Sequence, residues 1–489
     1  MARVEYYASV ADEANGELDC SYSYKTDVYG RTIATAKTDG KGAILREETT
    51  AYSESGSVVT VSSPEGVIRY EYDVYGRLTR TSSDRGDDVR YGYDEFGRLA
   101  TVCDAAQNDL MTTYSYDDRG NLAKTVVSSG ITTTYRYDAS NRLIETTNFV
   151  DANANGVWDA ASESRISQFE YGYDALGQKT TATERFGDDD SQTIRTTWTY
   201  DGQNRLTQEV FEHYDDELDQ TLAWTYDLVG NRLTQTRDLG NDGTVDEKTS
   251  YRYDANDRLI QEIFDGDADG VFERTTDYDW LATQQVAATV TENGTVVKQT
   301  TYAYNAQGLT SEITIVENGA STRVRYEYDT AGARVATTTE IDADGDGTFE
   351  KATRTEFLND ANNPTGYSQV LRKTETDLAT GEETVTSYTI GLDQIAQTVV
   401  APDGTETSSV FTYDGRGSTR ALIDLLGTVV ETYSYDAYGN AIGFDPANAA
   451  TEYLHNGEAF DAKTGRVYLR ARDYDPSTGR FTTLDPFYG

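Results

Sequence analysis

Four acidic loops carry the clearest chemistry in this sequence. They are Asp151-x-Asn153-x-Asn155-Gly156-x-x-Asp159, Asp238-x-Gly240-x-Asp242-Gly243-x-x-Asp246, Asp265-x-Asp267-x-Asp269-Gly270-x-x-Glu273 and Asp342-x-Asp344-x-Asp346-Gly347-x-x-Glu350. Oxygen-bearing side chains at positions one, three, five and nine converge when a glycine at position six lets the loop turn sharply. A backbone carbonyl at position seven completes the set. Ca2+ is a hard cation that takes about six to eight such oxygens in a flexible shell, whereas Mg2+ demands a stricter octahedron.

The first half of each loop is EF-hand-like, but position twelve lacks the expected Glu (Ser162, Thr276 and Thr353 stand there). The flanks also read as strands, not helices. The nine-residue form looks more like the calcium loops of β-propellers and other β-hairpin proteins. An apolar residue at position eight (Trp158, Val245, Phe272, Phe349) is placed to pin each loop to a sheet. Structural Ca2+ is therefore expected at the loops starting at 151, 265 and 342. The loop starting at 238 is weaker, because Gly240 takes a ligand position. The competing reading is a polar Asp/Gly-rich hairpin turn that binds nothing. The acidic run Asp188-Asp189-Asp190 reads as a solvated turn.

A repeat must position these loops. Tyr70-Glu71-Tyr72-Asp73-Val74-Tyr75-Gly76-Arg77-Leu78 is followed by Tyr91-Gly92-Tyr93-Asp94-Glu95-Phe96-Gly97-Arg98-Leu99, and further copies begin at Tyr114, Tyr135, Tyr171, Trp198, Trp224 and Tyr251. Aspartates 73, 94, 117 and 138 recur at 21 to 23 residues, and aspartates 174, 201, 227, 254 and 279 at 25 to 27. A fixed period in this range marks a repeat architecture. Two aromatics separated by one residue point to the same face of a strand. Asp-x-x-Gly is turn chemistry: Asp bonds backbone two residues on, and Gly accepts positive φ. Each unit is thus a β-hairpin, with aromatics laddered on one face.

Residues 1–69 read as an irregular β region with degenerate copies such as Asp27-Val28-Tyr29-Gly30-Arg31. Residues 70–356 form the hairpin array, whose extra length lies in the acidic loops. Residues 357–489 form a distinct C-terminal part. There the pattern fades, then returns at Tyr413-Asp414 and Tyr433-Ser434-Tyr435-Asp436. No long helix is expected; Asn448 to Glu452 suits one short turn.

Composition narrows the function. The 489 residues are only 37% hydrophobic, and Tyr (37) outnumbers Phe (14), which suits a single sheet curled around a space better than a solid core. A formal net charge of −42 argues against nucleic acid and against insertion into, or docking on, an anionic membrane. No stretch is apolar enough for a spanning helix or a signal segment. His213 and His455 are the only histidines, so a structural zinc site is not expected. Cys20 and Cys103 could pair, but nothing in the sequence requires it.

The C-terminal block holds Asp414-Gly415-Arg416-Gly417-Ser418-Thr419-Arg420, Gly457-Glu458-Ala459-Phe460-Asp461, Tyr468-Leu469-Arg470-Ala471-Arg472-Asp473-Tyr474-Asp475-Pro476 and Leu484-Asp485-Pro486-Phe487-Tyr488-Gly489. This block closely resembles the core domain associated with Rhs (rearrangement hotspot) proteins, and the upstream hairpins resemble YD repeats. The resemblance covers roughly residues 20–489. It implies an all-β fold of antiparallel hairpins, in which a YD-repeat strip spirals into a hollow shell or barrel. It also implies that the shell encloses a C-terminal toxin or effector polypeptide, here one beyond residue 489, and that the protein is secreted or at the cell surface. The core domain of the family is an aspartic-type self-protease. Asp485-Pro486-Phe487-Tyr488-Gly489 matches one Asp-Pro-x-Gly element, with one residue extra, and Asp485 is the candidate catalytic carboxylate. A second such element is not in this chain, so no self-cleavage is expected from it alone. Arg470, Arg472 and Arg480 are candidate supports for a carboxylate or oxyanion, or else strand-surface partners of acids. The alternative function is a calcium-stiffened adhesion module that binds a cell-surface glycan or protein.

Overall fold

The computed structural model describes the backbone of residues 2–6, and residues 20–107 and 109–484 in full. Among the described residues there is no α-helix, only two single 3-10 turns, Asp216–Leu218 and His455–Gly457. From Ala2–Tyr6 to Val429–Thr432, each strand pairs antiparallel with the next, giving a 34-stranded meander. The pairing runs unbroken past residues 69 and 356, and strands Gln369–Asp377, Glu383–Ile390 and Gln394–Val400 fill the stretch where the repeat fades.

The Asp of each repeat builds its turn. The Asp73 carboxylate accepts the N–H groups of Tyr75 (2.9 Å) and Arg77 (3.0 Å) through Oδ1, and the Arg77 Nε–H (2.7 Å) through Oδ2. Gly76 closes the turn at φ +78. Where Gly is missing, Asn141, Asn204 and Asp257 take the same left-handed conformation, which short polar side chains tolerate. The same bonds recur at Asp94, Asp138, Asp201 and Asp254. The N–H groups and guanidinium of Arg77 hold the Asp73 carboxyl below the usual range.

The two aromatics of each unit do different work. The first faces inward: Tyr70, Tyr91, Tyr114, Trp198, Trp224, Tyr251, Tyr302 and Tyr326 are buried, and Tyr135 and Tyr171 are half-buried. The second reaches back to the previous hairpin. Tyr93 Oη donates to the Leu78 carbonyl (2.7 Å), Tyr116 to Leu99 (2.7 Å), Tyr137 to Leu122 (2.9 Å) and Tyr173 to Leu143 (2.6 Å). A register shift beside the second aromatic, as at Gly92/Tyr93, gives it this different aim. The turn arginine of one unit lies over the ring of the next, with Arg77 4.7 Å from Tyr93 and Arg98 4.3 Å from Tyr116. The ladder suggested by the repeat is thus held by hydroxyl-to-carbonyl bonds and guanidinium–ring contacts.

The strip curls on itself. Tyr22 Oη donates to Gln307 (2.7 Å), Arg372 to Asp87 (2.8 Å) and Thr389 to Asp104 (2.5 Å), each across 285 residues of sequence. Further on, the Gly415 N–H donates to Tyr171 Oη across 244 residues, and Arg420 meets Glu184 across 236. One turn of the spiral therefore takes about 285 residues at first and then tightens. The turns meet through side chains; no strand ladder closes the sheet among the described residues. The main hydrophobic cluster lies between turns and joins Tyr70, Tyr91 and Tyr114 to Leu358, Tyr388, Phe411 and Leu422. A second cluster gathers Tyr302, Ile313, Val324 and Tyr326.

Removing one hydroxyl leaves a carbonyl without its donor and should cost about 1 kcal/mol, felt locally in a repeat fold. Tyr93→Phe is expected to raise amide exchange in strands Leu78–Ser83 and Asp88–Tyr93 and to leave strands beyond residue 200 unchanged. Uniform acceleration along the chain, or none, would contradict this role.

Candidate functional site

Beyond Thr432 the chain leaves the wall and lies across it. Ser434–Tyr435 pairs with Ala441–Ile442, and a small sheet is built from Ala459–Asp461, Arg466–Tyr468, Asp473–Asp475 and Arg480–Phe481. This strap touches strands spread over much of the wall, from Glu209 through Tyr302 to Gln397. A segment on the concave side of a curled sheet can reach all of them.

Buried polar groups fasten it. Arg334 pairs with Asp473 (3.2 Å), and its guanidinium lies 4.0 Å from the rings of both Tyr326 and Tyr468. Thr310 donates to the other oxygen of Asp473 (2.9 Å). Arg466 donates to Tyr302 Oη, and Tyr326 Oη to Asp461 (2.9 Å). Just upstream, Arg420 forks onto Glu184, with both side chains buried, and sits 5.1 Å from the Phe169 ring. A buried pair of this kind is costly to break, about 3–5 kcal/mol, because the remaining charge is stranded. Asp436 folds its own turn, like the other repeat aspartates, through Tyr438 and Asn440.

Cavities lie between strap and wall. One of about 780 Å³ is bordered by Glu262, Tyr278, Tyr302, Asp436, Arg466 and Asp475, and one of about 430 Å³ by Lys373, Tyr388, Tyr453, Glu458 and Arg470. Carboxyl pairs mark the first region. Burial, and then the nearby Asp436, push Glu209 up to about 7. Burial, and then Asp475, do the same to Glu262. Burial also lifts Asp104, Asp360 and Asp393 to about 6. Burial, and then Arg416, lower His455 to about 4. Glu209 and Glu262 can each hold a proton near neutral pH. These groups carry no short motif; only Asp436, inside a repeat copy, had a readable signal.

Asp485 lies outside the described residues. The structure does not gather the three arginines into one site. Arg470, at φ +61, donates to the Ser368 carbonyl (3.1 Å) and to Glu458 (3.0 Å). Arg472 lies 3.7 Å from the Phe481 ring. Arg480 reaches Asn231 (3.1 Å) and the Asp257 carbonyl (3.4 Å), in two repeat turns of the wall.

The four acidic loops share one geometry. The first Asp accepts the position-six glycine N–H: Asp151 from Gly156 (2.7 Å), Asp238 from Gly243 (2.9 Å), Asp265 from Gly270 (2.9 Å) and Asp342 from Gly347 (3.0 Å). The fifth residue (Asn155, Asp242, Asp269 or Asp346) accepts the N–H two residues on at 2.7 Å. Position nine then separates the loop starting at 151 from the others. Glu273 and Glu350 fold back, so that Asp265, Asp267, Asp269 and Glu273 form one carboxylate group, and Asp342, Asp344, Asp346 and Glu350 another. Asp159 instead caps the next turn through Ala161 and Ser162, so it is not drawn back towards Asn153. Asp246 bonds the Leu239 N–H (2.7 Å), and the loop with Gly240 forms no such group.

Comparison with known proteins fits this geometry. The teneurin YD-shell profile matches residues 164–488, and the RHS repeat profile matches 93–132 and 116–151. The chain belongs to the teneurin YD-shell family. In a crystal structure of TcdB2-TccC3, a similar fold covers 97% of this chain and 28% of that one, with a TM-score of 0.51 at 16% identity. Shorter stretches resemble tRNA nuclease WapA of Bacillus subtilis (37% identical over 76 residues, 15% of this chain and 3% of that protein). Salivary gland surface protein 1 of Aedes aegypti is 42% identical over 76 residues, 15% of this chain and 2% of that protein. The YD shell thus spans a small part of the length of these relatives. No helix among the described residues is long and apolar enough to cross a membrane.

The raised carboxyls fix the sign of one pH effect. Between its ordinary value of 4.5 and about 7, Glu209 binds a proton in the folded shell that the unfolded chain does not bind. Its contribution to stability is therefore present at pH 5 and lost as the pH rises through 7. Glu209→Gln should shrink the stability difference between pH 5 and pH 8, measured in EDTA, by about 2–3 kcal/mol. A variant whose pH dependence matches the parent would exclude Glu209 as its source.

Proposed function

We propose that this YD shell is a wall segment that encloses the polypeptide joined to its C-terminus. The observation that carries the reading is the strap. Residues 433–484 cross wall strands from Glu209 to Gln397, fastened by Arg334–Asp473, Arg466–Tyr302 and Tyr326–Asp461. The last described residue, Leu484, donates its N–H to the Thr283 carbonyl (3.0 Å). On this reading the strapped face is the concave one, so a polypeptide joined to the C-terminus starts from a segment fastened to the inner side of the wall. The likeness of fold to TcdB2-TccC3 supports the reading, as does the short match to a protein named as a tRNA nuclease. Export to a surface or to the exterior fits the same relatives, one of which is named as a surface protein. Asp485 is proposed as one carboxylate of a self-cleaving pair whose second member lies further along the parent chain.

The experiment extends the chain past Gly489 with its natural downstream residues, or with a small reporter, and measures protease digestion. The reading predicts that the added segment is protected while the shell is folded and is digested once it is denatured. Digestion at the rate of the free segment would contradict it. Loss of any downstream cut on Asp485→Asn is the outcome expected for the cleavage role, and a cut that persists would exclude Asp485.

A further inference from the structure

We infer that the loop 265–273 is a Ca2+ site. Its four carboxylates, Asp265, Asp267, Asp269 and Glu273, each offer an oxygen within 4.8 Å of the others. Oxygens around Ca2+, at about 2.3–2.6 Å from the ion, lie at most about 5 Å apart, so this spread suits its shell; Mg2+, at about 2.0–2.1 Å, needs a tighter one.

A second observation points to a ligand. Asp265 is only 3% exposed, and its Oδ1 has no hydrogen-bond partner. Its Oδ2 is already taken by the Gly270 N–H (2.9 Å), so Oδ1 is the oxygen left to the group. A buried carboxylate oxygen with nothing to accept is expensive in a folded protein, and a bound cation removes that cost. The rest of the molecule sharpens the contrast. Repeat aspartates such as Asp73 and Asp254 are each paired with the arginine four residues on. None of the four loop carboxylates forms an ion pair among the described residues, so their charges sit together uncompensated.

The loop is also held ready. Glu273 accepts the Gly266 N–H (2.7 Å), and Asp269 accepts the Val271 N–H (2.7 Å), which leaves the other oxygens and the Val271 carbonyl available. The loop 342–350 has the same group of acids, but there Asp342 Oδ1 is occupied by the Gly345 N–H (2.7 Å). The loop 265–273 therefore carries the inference. Its ion would brace the hairpin formed by Leu259–Asp265 and Arg274–Leu281, independently of what the shell encloses.

The test is calorimetric titration of the full chain, stripped with EDTA, with CaCl2 and separately with MgCl2. Ca2+ is expected to bind more tightly than Mg2+ and to raise the melting temperature by a few degrees, because it binds the folded state alone. Asp267→Ala with Asp269→Ala, both exposed positions, should lower the Ca2+ stoichiometry by one while the chain still melts cooperatively in EDTA. Asp344→Ala with Asp346→Ala should keep the site lost in the first variant. If the first variant melts low in EDTA, Asp265→Asn, which retains an acceptor for Gly270, is read in the same way. No Ca2+ binding by the parent, unchanged stoichiometry in the variants of this loop, or equal affinity for Mg2+ would overturn the inference.

Discussion

The structure depends on one small arrangement, repeated: an aspartate that caps a five-residue turn and an aromatic that reaches the hairpin before it. A two-stranded hairpin is marginal in water. Here the Asp73 carboxylate satisfies two turn N–H groups and holds Arg77, and Arg77 then lies over Tyr93, whose hydroxyl bonds the Leu78 carbonyl. Each unit is thus fastened to its neighbour by the same residues that shape its turn. This accounts for a sheet of 34 strands with little apolar filling, since stability accumulates from neighbour to neighbour.

The curl needs a different kind of contact. Successive turns of the spiral meet through side chains, in the main hydrophobic cluster and in specific polar pairs: Asp87 with Arg372, Asp104 with Thr389, Glu184 with Arg420. Such pairs set register, because a slip of one residue strands a charge in the interior. The strap uses the same device against the wall, through Asp473 and Arg334. Repeated latches make the strip, and unique buried pairs decide how it is wound.

Much of this was legible in the residues. The Tyr-x-Tyr-Asp-x-x-Gly-Arg pattern specifies both hairpin and turn, because each position has a local role that its chemistry alone can fill. The shared geometry of the acidic loops was likewise written in Asp and Gly spacing. What remained hidden is long-range. Nothing near Glu184 announces Arg420, and nothing near Tyr302 announces Arg466, since these partners are set by the pitch of the spiral and not by local pattern. Residues 357–410 lost the motif yet kept the strands, because backbone pairing to an existing edge does not require the aromatic latch. In the acidic loops position nine reaches back to the second N–H in three cases, Asp246 as well as Glu273 and Glu350, whereas Asp159 caps the next turn; the loop starting at 238 differs by having Gly240 at position three. The arginines 470, 472 and 480 share a sequence neighbourhood but face different partners, because Arg470 and Arg472 sit in the bend between Arg466–Tyr468 and Asp473–Asp475, with Arg470 at φ +61, while Arg480 opens a later strand.

A high-resolution cryo-electron microscopy map of the full chain tests the account most directly. It should show a single-layer wall wound on itself, with Arg420 against Glu184 at the seam and residues 433–484 on the concave face. A map showing an open strip, or the C-terminal segment detached from the wall at Tyr302 and Tyr326, would contradict it.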